Sequence, residues 1–204
     1  MTVAPWFEVL GAKAVPHTAA PTLRFAMRVT DTTRDDVHAI ALVGQLQIDP
    51  AKRSYDDATR ARLVELFGEP ERWAATTRSF LWAQVSTVVP AFRGAAEFSL
   101  DVHCTYDLEV AAAKYVYSLP DGEVPLTFHF SGTILHGAMQ VSMVPWSCSA
   151  AFRLPVDTWR GLMAAHYPGG GWVRLEAATL DRLAERKAAC GLPSYDATIA
   201  GLLG

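Results

Sequence analysis

Between Val124 and Phe152 the chain runs for 29 consecutive residues without one Asp, Glu, Lys or Arg. A membrane helix needs about 20 apolar residues in a row. This run is broken by His129, Ser131, Gly132, His136, Gln140, Ser142 and Pro145, so it reads as extended chain and not as a span. A strand with one wet face normally carries charge on that face, and strands that carry none are expected to be covered on both sides. Two covers are compatible with the sequence. One is the chain's own C-terminal helices; the other is a protein partner, because interface cores are depleted of charge and enriched in aromatic residues and Met. On the second reading Thr127, His129, His136, Gln140, Met143 and Trp146 are the candidate interface residues.

A two-residue period marks the strands. From Leu23 to Thr30 the side chains alternate, Leu23, Phe25, Met27 and Val29 against Arg24, Ala26, Arg28 and Thr30. After a polar turn, Asp31 to Asp36, the run Val37 to Asp49 puts Ile40, Leu42, Leu46 and Ile48 on one face, and Gly44 among them predicts a bulge or a close backbone approach. The two runs predict an antiparallel hairpin. Further extended runs fall at 81–90, 95–105, 124–136, 139–145 and 150–154. The stretch 107–119 is ambiguous: Glu109 to Lys114 favours helix and Tyr115-Val116-Tyr117 favours strand, and strand is expected for most of it. At Ser54, which with Asp57 resembles a capping box, the period becomes helical until Gly68 and Pro70. Beyond Pro155 the chain reads as helices at about 158–166, capped by Asp157 and stopped by Pro168 and Gly169–Gly171, at about 178–190, and after Ser194. The expectation is a mainly β, α+β fold. It is an antiparallel β-sandwich of seven or eight strands over 1–154 with a helix inserted near 55–67, and a helical cap over 155–204 packed on the same domain.

Half of the 204 residues are hydrophobic, enough to order a core, and a net charge of −3 lacks the basic field that nucleic acid requires. Three cysteines, Cys104, Cys148 and Cys190, do not form a disulfide framework and read as reduced, and the N-terminal stretch has no secretory pattern, so a cytoplasmic location is expected. No chemistry-bearing motif emerges. Asp101, His103 and Cys104 lie within four positions, but strand geometry turns Cys104 away from the other two, and His129 and His136 are an odd seven apart. Ser131 beside Gly132 lacks a nucleophile elbow, and Gly169–Gly171 lacks the Gly-Lys-Ser/Thr ending of a phosphate loop. The acid pairs Asp35-Asp36 and Asp56-Asp57 sit in a turn and a helix start. The six tryptophans, Trp6, Trp73, Trp82, Trp146, Trp159 and Trp172, read as core fillers. No catalytic residue, cofactor or metal ligand is expected.

The segments LQIDPAKRSY, RLVELFGEPERW, VVPAF, CTYDLEVAAAKYVYSLPDGEVPLTFHFSGTI and LPVDTWRGLMAAHYPGGGWVRL resemble an uncharacterised domain-of-unknown-function family of high-GC Gram-positive bacteria. The resemblance implies genes that often stand among those for nickel-iron hydrogenases and their maturation factors. The resemblance implies an accessory or assembly role in the cytoplasm and supplies no catalytic residues. The functional expectation is therefore a non-catalytic binding or assembly protein with a protein partner, without nucleic acid or a membrane span, and compatible with a homo-oligomer. The alternative is a small-molecule enzyme or ligand-binding module with a Trp- and His-lined pocket between sheet and helices.

Overall fold

The structure, a computed structural model, describes residues 4–31, 36–137, 140–171 and 173–204. The chain divides into two compact units, Met1–Gly171 and Trp172–Gly204. Among the described residues the first unit holds eight strands in two antiparallel sheets, the sandwich that the two-residue period predicts. They are β1 (Trp6–Ala14), β2 (Thr22–Thr30), β3 (Val37–Ile48), β4 (Phe80–Val89), β5 (Ala95–His103), β6 (Glu123–His136), β7 (Val141–Val144) and β8 (Ser149–Pro155). One sheet has three strands in the order β1-β2-β5; the other has five, β4-β3-β6, with β7 and β8 sharing the far edge of β6.

The alternating residues face each other between the sheets. Leu23, Phe25, Met27 and Val29 on β2 and Ile40, Leu42, Leu46 and Ile48 on β3 are buried. Phe25 meets Phe128 edge-on with ring centroids 5.2 Å apart, and Phe7 stacks on Phe130 at 4.3 Å. Each such side chain contributes about 1.5–3 kcal/mol on leaving water, and the interleaving fixes which face of each strand is inward. The hairpin expected between the first two alternating runs does not form: β2 pairs with β1 and β5, while β3 pairs with β4 and β6. Both runs are apolar on one face only, and placing them in opposite sheets buries each face against the other.

Strand register brings Ala14, Thr22, Ile48, Phe80, His103, Glu123 and Pro155 to one end of the sandwich, and helices of the same unit close that end. They are α1 (Asp57–Phe67), the short α2 (Trp73–Thr76), α3 (Ala111–Ser118) and α4 (Val156–His166). The cap of α1 is Asp56, whose carboxylate accepts from the Thr59 backbone N–H at 2.7 Å, and not Ser54. The expected strand over 107–119 is helix α3. Its strand-favouring Tyr115 and Val116 are buried with Ala112 and Ala113, and packing on Phe67 and Phe80 outweighs their intrinsic preference. The missing strand is β1, whose pattern is disturbed by a bulge between Val9 and Gly11. Gly44 lies in regular register; β3 bulges between Val37 and Ala39, and opposite Leu46/Gln47 the extra residue, Trp82, is on β4. Helix α4 starts two residues earlier than expected, with Pro155 as its cap and Asp157 in its first turn. It packs on β1, β2 and β8 within the first unit.

The second unit holds α5 (Ala177–Ala189) and α6 (Tyr195–Leu203), with Ser194 capping α6 by accepting from the Ala197 N–H at 3.0 Å. Leu183 and Thr198 are its buried residues. Asp35, Met139 and Trp172 lie outside the described residues. No helix among the described residues is long and apolar enough to cross a membrane.

Candidate interaction surface

The two sheets turn very different faces outward. On the three-stranded sheet, Arg24 holds Asp101 with two hydrogen bonds of 2.6 Å, Arg28 holds Glu97 at 2.6 Å, and Glu8 and Lys13 stand opposite Arg28 and Arg24. The bonds from Arg24, more than its bare charge, hold the Asp101 carboxyl below its ordinary range. This is the charged ladder normal for a wet sheet face.

The outward positions of the five-stranded sheet form neutral rows. Ala41 stands between Val88 and Thr133, and Thr133 faces Met143; Val43 stands between Ser86 and Ser131. Gln45 stands between Gln84 and His129, followed by Ser149, and Gln47 between Leu81 and Thr127, followed by Ala151. Glu123, opposite Pro155, and Arg153, opposite Pro125, are the charged residues among the outward positions of these described strands, and both lie at one end of the sheet. Leu135 and Val141 extend the apolar half. Val88 and Met143 are each 66% exposed, Val141 62% and Leu81 55%. These exposed apolar side chains make this face the candidate surface among the described residues.

The candidate residues divide. Thr127, His129 and Met143 share this face. Gln140 is exposed and its carbonyl accepts from the His136 N–H at 2.8 Å, at the end of the sheet. His136 lies opposite Val37; its Nε2 meets the Ser142 hydroxyl at 2.7 Å, while Nδ1 is buried without a hydrogen-bond partner among the described residues. Trp146, 90% exposed, stands in the kink between β7 and β8 that the Cys148 N–H to Pro145 carbonyl bond closes. Sequence reasoning missed the β3 and β4 contribution, Ala41, Val43, Gln45, Gln47, Gln84 and Val88. The signal was present: Val37–Ile48 and 79–92 are also free of Asp, Glu, Lys and Arg.

Thr127 also has a structural duty. Its hydroxyl donates to Asp49, a buried carboxylate that also accepts from Ser79 and from Lys52 Nζ at 2.8 Å. Burial works to raise the Asp49 pKa, and the bonds from Lys52, Ser79 and Thr127 outweigh it and hold the carboxyl below its ordinary value. This staple joins the end of β3 to β6 and to the approach to β4. Beside it opens a cleft of about 560 Å³ lined by Lys52, Arg53, Ser54, Gly122, Glu123 and Arg153. Arg53 is pinned there by the carbonyls of Asp121 and Glu123, both at 2.8 Å. A second cleft, about 470 Å³, is lined by Arg28, Thr30, Ala95, Ala96 and Glu97. Neither contains Trp or His, so neither is the pocket of the alternative reading. Trp159 is buried, Trp82 packs on Phe25, and the Trp73 indole donates to the Gly68 carbonyl at 2.8 Å.

Asp101 and His103 are engaged with Arg24 and with the Thr22 hydroxyl, and Cys104 is buried away from them. Burial pushes the Cys104 thiol up to about 12 and raises that of Cys148, which suppresses the nucleophilic thiolate at neutral pH. Among the described residues no three His, Cys, Asp or Glu side chains are grouped to hold a metal.

No curated protein matches the chain. Among solved structures, it is similar to a putative late embryogenesis abundant protein, with 15% identity, 76% of this chain and 74% of that chain covered, and a TM-score of 0.34. It is also similar to the putative ApaA protein from Bordetella pertussis, with 11% identity, 74% and 91% covered, and a TM-score of 0.31. Likenesses this distant carry nothing about function. Residues 2–204 match the family described as a family of unknown function (DUF6084), and the chain belongs to it.

Proposed function

We propose that this chain is a non-catalytic binding or assembly protein that associates through the outer face of its five-stranded sheet. The observation that carries the reading is the contrast within one molecule: the three-stranded sheet presents paired charges outward, while the larger sheet presents neutral rows with Val88, Met143, Val141 and Leu81 exposed. A face kept free of charge across β3, β4, β7 and β6 beyond its first residue, Glu123, forgoes the usual protection of a sheet against unwanted contacts. Association is what such a face is suited to. The proposal extends to an accessory role for a cytoplasmic redox complex of the hydrogenase type, the role implied by the family resemblance.

The experiment is affinity co-purification of a tagged chain from its native host, with Met143→Glu and Val88→Lys placed on the face and Glu97→Lys on the opposite sheet as control. Both face variants are expected to lose what the wild type retains, including further copies of this chain, with melting temperatures unchanged. Retention by both face variants overturns the reading. Hydrogenase subunits or maturation factors among the retained proteins support the accessory role, and their absence from a wild-type sample that retains other proteins rejects it.

A further inference from the structure

On the reading that this face is the binding surface, we infer that its occupant is the same face of a second copy, in an isologous two-fold dimer. The first argument is charge. An ordinary protein surface is about one-quarter charged, and docking it here would strip water from charges that the neutral rows cannot pair. The occupant must itself present an uncharged, half-apolar sheet-sized surface, and this chain carries one.

The second argument is hydrogen-bond complementarity. The polar half of the face is built on Gln45, Gln47, Gln84 and His129, and each of the three amides both donates and accepts. A second copy brings equal numbers of donors and acceptors, so such a set can pair with itself where a carboxylate-rich or lysine-rich partner would leave half of it unmet.

The third argument is size. Four strands abreast at about 4.8 Å spacing over some 25 Å of strand give roughly 480 Å² of plan area per copy, so a face-to-face pair buries roughly 1,000 Å² or more in total, about the least that a specific interface needs. Two sheets packed in this way lie about 10 Å apart with strands about 30° from alignment. Arg153 and Lys52 then stand at the rim, where charge stays in water.

The test is sedimentation velocity on the purified full chain at about 50 µM, well above the Kd of even a micromolar interface of this size. Wild type is expected to run as a dimer, and Met143→Glu and Met143→Lys each as monomers, their self-association weakened by about a hundred-fold or more. Unchanged melting curves show that the variants are folded. A wild type that stays monomeric overturns the inference while leaving the wider reading to the co-purification result. A dimer that survives both substitutions uses another surface and also overturns it.

Discussion

Gly132→Ala is expected to be among the most damaging single-atom additions this chain can receive. Gly132 sits in mid-β6 where the edge partner changes from β8, paired through His129, to β7, paired from Gly132 onward. Its φ is +154°, and a Cβ there would stand 2.1 Å from the Ala41 carbonyl oxygen and 3.1 Å from Leu42 Cα on β3. Both neighbours are backbone of the central strand pair, so neither can swing aside as a side chain could. Forcing an L-residue into that backbone region costs about 1–3 kcal/mol. Relieving the contact requires β3 and β6 to part by more than about 1 Å, weakening two or three ladder bonds of about 1 kcal/mol each. The total, about 3–6 kcal/mol, approaches the whole stability of a domain near the bottom of the usual range of about 5–15 kcal/mol. Urea unfolding followed by far-UV circular dichroism measures it. Gly161→Ala in α4, where nothing lies within 4 Å of the added carbon, is the matched control and is expected to stabilise by about 0.5–1 kcal/mol. A Gly132→Ala protein within about 1 kcal/mol of wild type would refute the reasoning, since it would mean that β3 and β6 do not meet at this register.

Asp49→Ala is expected to cost about 3 kcal/mol, because Ser79 and Thr127 lose their acceptor and Lys52 its counter-charge; chemical denaturation reads the loss. Because the folded chain holds Asp49 below its ordinary value of 3.8, its contribution is complete above that value and fades as pH falls through 3.8 toward the lowered one. Asp49→Asn should therefore flatten the acid limb of the stability profile. Thr127→Lys is expected to destabilise, whereas Met143→Glu is not, since Thr127 bonds the buried Asp49 and Met143 is 66% exposed; parallel thermal melts separate them. Thiol titration of the native protein should modify the exposed Cys190 quickly and the buried Cys104 and Cys148 only on unfolding.

The strands that the sequence reveals best, β2 and β3, are those in which one face is buried and the other wet, because a period of two is then written directly into polarity. What local pattern does not carry is which strand lies beside which. Leu23–Val29 and Ile40–Ile48 read as neighbours, and only the return of β5 to β2, 77 positions on at Arg24 and Asp101, shows that the chain has changed sheets. Helix α3 was hidden for a related reason: Tyr115 and Val116 favour a strand until Phe67, Phe80 and the Tyr55 hydroxyl, 2.6 Å from that of Tyr115, supply a helical site for them. The candidate surface was half legible. The charge-free run located Thr127, His129 and Met143, but joining them to Gln45, Gln84 and Val88 needs the register of β3 and β4. The demand of Asp49 on Thr127 is a contact across 78 residues that no spacing rule anticipates.

The path of the chain between the sheets also dictates an order of assembly. β1 and β2 can zip together as soon as Thr30 has emerged from the ribosome, and β3 and β4 soon after Val89. The inner edge of β2 stays bare until Ala95–His103 arrives, and that of β3 until Glu123–His136 does. Contacts of such long sequence separation close slowly, on about millisecond-to-second scales for all-β topologies. A nascent chain stopped between β4 and β5 carries two hydrophobic strand pairs with both inner edges open, and one stopped between β5 and β6 still leaves that of β3 uncovered. The vulnerable period of this protein is thus during its own translation, and chaperone dependence should be greatest in chains that end between residues 90 and 123.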